Sequence, residues 1–207
     1  MKNYQQIEKS RGFTLMETVV VIAIFTIIMT VISSLIVNFY RTNDYAIQQS
    51  QAIGNGRQAV NKLVTDLRET TLSDDGNYPL RALGEYSIEF YSDVDLDNSV
   101  ELIKYSTNNA DQLVKEIYEN DGGSYILAST NYVANYVRNT SYERDGVVGV
   151  NIFTYFDTDG AEVIDLSDLD EVRYIKVELI VNVNPDRQPE EFVLLSSSHL
   201  RNLPVIE

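Results

Sequence analysis

From position 13 the chain reads FTLMETVVVIAIFTIIMTVISSLIV, a run to residue 37 in which Glu17 is the only charge. Residues 18–37 are uncharged and nearly all apolar, long enough to cross a bilayer as a helix. The next stretch, 38–72, contains no proline, and Val60, Leu63, Val64 and Leu67 recur at helical spacing to give one apolar face. Gly54 and Gly56 interrupt that pattern and are expected to loosen or bend the helix. Ser73-Asp74-Asp75-Gly76-Asn77 is a stop signal. The spacing therefore predicts one long helix over 13–71, with an apolar first half and an amphipathic second half.

After Tyr78 the period changes to two. Tyr86, Ile88 and Phe90 alternate with polar residues, and Val100 and Leu102 resume the alternation beyond an acidic turn. Residues 147–156 read as one strand, followed by a turn at Asp157-Thr158-Asp159-Gly160. Ile175, Val177, Leu179, Val181 and Val183 fall on one face, with Tyr174, Lys176, Glu178 and Asn182 mostly on the other. The loop 184–190 carries Pro185 and Pro189, and 192–200 returns as the second arm of a hairpin. Between 105 and 146 the pattern is weaker, with short strands expected at 113–118 and 125–128. The fold class is α+β, one long N-terminal helix packed on an antiparallel β-sheet domain. The expected segments are a leader at 1–12, a transmembrane helix at 13–37, its amphipathic continuation at 38–72 and a β-rich head at 73–207.

Composition narrows the functional classes. The 207 residues carry 16 Lys and Arg against 31 Asp and Glu, a net charge of −15. Phosphate-backbone binding needs clustered cations, so direct nucleic-acid binding is not expected. With no cysteine there is no disulfide framework, thiolate metal site or cysteine nucleophile. Fourteen tyrosines and seven phenylalanines supply aromatic bulk suited to strands.

The N-terminus carries the most specific chemistry. Its leader, MKNYQQIEKSRG, is polar and net basic through Lys2, Lys9 and Arg11 against Glu8. Those cations would stay cytoplasmic and put the C-terminal bulk outside. A cleaved secretory signal would have an apolar region of roughly 7–15 residues ending at a small-residue site. This run is longer, and no such site follows it. A plain signal anchor accounts for the run but leaves Glu17 unexplained. The string Arg11-Gly12-Phe13-Thr14-Leu15-Met16-Glu17 resembles the class III signal of type IV prepilins and type II secretion pseudopilins. The resemblance covers the leader and the apolar helix. It implies cleavage after Gly12 by a prepilin peptidase and methylation of the new N-terminal Phe13. It makes Glu17 the family's acidic residue for filament assembly. A carboxylate at membrane depth costs about 2.5–3.5 kcal/mol on insertion scales, so Glu17 needs a reason to be there. Either it reaches the cytoplasmic interface, or in a filament it pairs with a neighbour's Phe13 amine and fixes register.

The same resemblance implies a cytoplasmic-membrane precursor, an inner-membrane assembly platform, other pilin or pseudopilin subunits as partners, and a periplasmic or cell-surface filament. The stretch 171–203 is similar, more loosely, to the end of J-type minor pseudopilins and related minor pilins, which act near the filament tip. The expected function is structural and non-enzymatic. The rival classes are a signal-anchored binding or sensor module that never polymerises, and an exported enzyme on a signal anchor.

One further cluster offers metal chemistry. Asp93, Asp95 and Asp97 alternate, and Glu101 can complete a shell for calcium. Asn98 replaces the glycine of a helix-flanked calcium loop, so the competing reading is an acidic hairpin turn. Asp157 and Asp159 make a weaker case. His199, the single histidine, has no triad pattern around it, and Asn139-Thr140-Ser141 is a chance-grade glycosylation sequon.

Overall fold

The computed structural model describes residues 12, 14–94, 97, 99–187, 191–201 and 203. One helix, α1 (Leu15–Arg68), runs unbroken for 54 residues. The chain divides into two compact units, residues 1–46 and 47–207.

In the first unit, every described residue from 14 to 44 is exposed. The apolar side chains point outward all round: Leu15, Val21, Ile28 and Leu35 are 84, 52, 49 and 63% exposed. The polar residues within the run satisfy themselves. The hydroxyls of Thr26, Thr30 and Ser33 each donate to the carbonyl four residues earlier, at 2.8 Å. This back-bonding removes free donors from an otherwise apolar surface.

In the second unit, α1 buries one stripe: Gln49, Ala52, Gly56, Ala59, Val60, Leu63, Val64, Asp66 and Leu67. This stripe packs on antiparallel sheet. β1 (Leu80–Leu83), β2 (Ser87–Ser92), β3 (Glu101–Thr107), β4 (Gln112–Asp121) and β5 (Ser124–Asn135) form a five-stranded meander in chain order. β6 (Glu143–Arg144) and β7 (Val147–Val148) form a small hairpin. β8 (Phe153–Phe156), β9 (Tyr174–Val181) and β10 (Phe192–His199) form a three-stranded sheet in the order β10-β9-β8. Ile88 and Phe90 face Tyr105 and Ile103 across β2 and β3, all four with no exposed surface. Leu63 and Leu67 are equally buried, and each contributes about 1.5–3 kcal/mol by leaving water.

The two larger sheets are joined by backbone and by side chains, among them Tyr155, whose hydroxyl donates to the Gly84 carbonyl at 2.8 Å. Arg138 N–H donates to the Ile180 carbonyl at 2.8 Å, and Asn182 N–H donates to the Tyr136 carbonyl at 3.0 Å. The Asn139 amide donates to the carbonyls of Val150 and Glu178 and accepts from Ile180 N–H. This asparagine is fully buried and its amide is committed, which gives the sequon a structural use.

Several local expectations need correction. The helix stops at Arg68 rather than 71, because Thr70 bridges Ser92 and Thr71 N–H donates to the Tyr91 carbonyl. On β3, Leu102 is buried as the alternation expects, and Ile103 and Tyr105 on the opposite face are buried as well. Two short strands with loops between them are instead one long β4–β5 hairpin. The strand expected at 147–156 is broken by Gly149, whose φ of 94° turns the chain between β7 and β8. Gly56 does not interrupt α1; a Cβ there would stand 2.8 Å from Leu194 Cδ1, so the glycine lets the helix approach β10 closely. The stripe Ile175, Val177, Leu179 and Val181 is fully buried as expected, and the β9–β10 hairpin forms. Glu178 and Asn182 on the opposite face are buried as well.

Candidate functional site

The residues singled out in the sequence fall in two separate places. Gly12 and Glu17 lie at the start of α1; Phe13 and the leader before Gly12 are outside the described residues. Gly12 is exposed, with no other atoms near the position of a Cβ. Thr14 is the cap of the helix. Its Oγ1 accepts from Glu17 N–H at 3.3 Å, and its carbonyl accepts from Thr18 N–H at 3.1 Å. Thr14-Leu15-Met16-Glu17 is therefore the T-x-x-E pattern of a capping box, a signal the hydropathy reading passed over. Glu17 in the first turn also complements the positive end of the helix dipole. Among the described residues its carboxylate has no hydrogen-bonding or ionic partner.

The acidic turn between β2 and β3 brings three of its four predicted residues together. One carboxylate oxygen from each of Asp93, Asp97 and Glu101 lies within 4.8 Å of the others; Asp95 is outside the described residues. Glu101 is 4% exposed, and its Oε2 accepts from Val94 N–H at 2.9 Å. Asp97 accepts from Ser99 N–H at 2.8 Å. Nearby, Asp74 accepts from Val100 N–H at 3.2 Å and from the Asn120 amide at 3.4 Å, tying the turn to the segment after α1. Converging hard oxygens of this kind suit a cation such as calcium. The second candidate turn is different: Asp157 Oδ1 accepts from both Asp159 and Ala161 N–H, so it caps its own turn. His199 ends β10 opposite Tyr174 and is exposed.

A buried polar cluster escaped the sequence reading. Asp66 has no exposed surface, yet it sits on the helix face with Leu63 and Leu67. Its Oδ2 accepts from the Tyr105 hydroxyl at 2.7 Å and from Lys115 Nζ, and its Oδ1 pairs with Lys62 Nζ at 2.8 Å. Lys115, on β4, is 5% exposed. Burial, reinforced by the Asp66 charge and its hydrogen bond, pushes the Tyr105 hydroxyl far above the usual tyrosine range. The hydrogen bond to Asp66 raises Lys62, outweighing its desolvation. The available signal was an aspartate inside the apolar arc of an amphipathic helix. On β9, burial would raise the Glu178 carboxyl, but Arg144 and Lys176 together hold it below the ordinary range.

Comparison with known families gives one match: residues 8–33 fit the prokaryotic N-terminal methylation motif. No curated protein and no solved structure matches the chain. The motif spans the expected cleavage position, the capping box and all but the last four residues of the apolar run. It implies processing by a prepilin peptidase and assembly with other pilin subunits, and the family it marks consists of structural subunits. A methylation motif at 8–33, one helix among the described residues that is long and apolar enough to span a membrane, and an α+β layout like that of pilins together support a type IV pilin-like chain.

Proposed function

We propose that the chain is a minor pilin or pseudopilin of a type IV pilus or type II secretion pseudopilus, placed near the filament tip. The precursor inserts once through the cytoplasmic membrane with its head outside the cytoplasm, the basic leader holding the N-terminus inside. A prepilin peptidase cleaves between Gly12 and Phe13 and methylates the new amine. With an inner-membrane assembly platform, the subunit then moves from lipid into a helical bundle of other subunits. The observation that carries this reading is the bare first half of α1: an apolar surface exposed on every side, most of it within a methylation motif.

Glu17 then acts in register. Its carboxylate, without a partner in the described residues, receives the Phe13 ammonium of a neighbouring subunit. In a low-dielectric bundle such a pair specifies position more than it adds stability. The acidic turn of Asp93, Asp95, Asp97 and Glu101 binds calcium and stiffens the β2–β3 connection. The experiment is to follow Glu17→Ala in a host with the peptidase and the other subunits. Cleavage at Gly12 should persist while incorporation into filaments falls at least tenfold; wild-type incorporation by the variant would defeat the register role.

A further inference from the structure

The edges of the head's sheets are protected unequally. β1 is four residues long, carries Arg81, and its register with β2 slips between Leu80 and Ala82. β5 is long, but its register with β4 shifts twice. β8 has four residues. β10 differs from all three. It ends its sheet, pairs with β9 without a break over eight residues, and has no Pro, Lys, Arg, Asp or Glu. Short length, bulges, charge and proline are the devices that keep a free edge from pairing with a foreign strand, and β10 has none of them. It is also apolar where it is open: Phe192, Val193 and Leu195 are 37, 39 and 64% exposed.

The geometry points to β10 as a docking edge that takes an extended strand from a different subunit of the same filament, an inference that rests on the filament reading above. Main-chain hydrogen bonds along an edge supply affinity, and alternate side chains supply selectivity. Charge chooses the occupant. Two copies of a chain with net charge −15 repel each other, which disfavours a second copy. Beside the edge, however, stands a cation. Arg57 is exposed, its guanidinium lies 5.5 Å from the Phe192 ring centroid, and it makes no ion pair among the described residues. With Asn61, Leu194 and Leu195 it lines a cavity of about 180 Å³ between helix and edge. The complementary partner is a strand whose apolar side chains sit beside Val193 and Leu195 on one face and whose carboxylate enters the Arg57 cavity on the other.

The native chain has no cysteine, so Leu195→Cys in the full-length protein gives a single thiol on the open row. Labelled with a maleimide–benzophenone and irradiated in assembled filaments, it should yield a cross-linked peptide from another filament subunit. Amide exchange at 192–199 in wild type should slow at least tenfold in filaments relative to the detergent-solubilised subunit. Leu195→Lys and Arg57→Glu, both at exposed positions, should keep processing at Gly12 and the wild-type melting temperature while incorporation drops at least tenfold. Cross-links found only between two copies of this chain, or unchanged exchange at 192–199, overturn the proposal. If wild type enters filaments and both variants enter equally well, this inference alone fails. If processed wild type never enters a filament, the filament reading fails and takes this inference with it.

Discussion

The two halves of α1 share one unbroken helix and little else. Between Leu15 and Asp44 the side chains are exposed on every face; between Ile47 and Arg68 one stripe is buried and most of the rest is polar. Their acidic residues make the same contrast. Asp66 is fully buried and receives Tyr105, Lys115 and Lys62 from within the chain. Glu17 has no such partner among the described residues. The second half is a finished protein core, whereas the first is an uncovered apolar surface that the proposed function gives first to lipid and then to neighbouring helices. Substitutions in the second half should therefore act on stability, and those in the first on assembly.

The strongest way to break that contrast is Asp66→Ala. It strands the Lys115 ammonium in the core and should cost about 3–5 kcal/mol, read as a fall in the chemical-denaturation midpoint of the head. Cleavage at Gly12 should be unaffected, the mirror image of Glu17→Ala. Lys115→Met should cost less than Asp66→Ala, because Lys62 and Tyr105 still satisfy Asp66. Next comes Gly56→Val, which forces a branched side chain against Leu194 and Val181 and should cost about 1–3 kcal/mol by the same measurement. Smaller again is Thr14→Ala, which removes the cap on Glu17 N–H. It should cost about 1 kcal/mol of local helix stability, seen as faster amide exchange in the first turn with no change in head melting.

Alkali sharpens the contrast without mutation. Burial, with the Asp66 charge second, raises Tyr105, and burial also raises Tyr155 against the opposing hydrogen bond from Gly84. A raised folded pKa means this stability is complete below the unfolded tyrosine value of about 10 and declines as pH climbs above it. The head's melting temperature should drop above that point, and Tyr155→Phe should blunt the drop. A flat melting temperature well past it would contradict the assignment. Acid works the other way through Glu178: its lowered carboxyl contributes above the ordinary glutamate range and is lost below it, weakly, because Arg144 is partly exposed.

How far the sequence could be read follows from whether the cause was local. The apolar run carries its helix in its own length, while the helical stripe from Val60 to Leu67 and the β9 stripe carry their burial in their own spacing; each appears where that pattern puts it. The errors arise where a distant segment decides. Gly56 looked like a flaw in a helix because Leu194 lies far along the chain. Asp66 was passed over because Lys115 comes from another strand, and Asn139 because its partners lie at Val150, Glu178 and Ile180. The acidic turn was legible because all its carboxylates lie within one short connection. The capping box at Thr14 was also local and readable, but the hydrophobicity of the run that follows masked it.

The central claim is that residues 8–33 are a processing signal, and intact mass tests it most directly. The full-length protein is expressed with and without a prepilin peptidase, and both membrane-extracted forms are weighed. Loss of residues 1–12 and one added methyl, localised to Phe13, are expected only when the peptidase is present. An unchanged precursor mass in a host that processes a known prepilin would contradict it and leave a signal-anchored head.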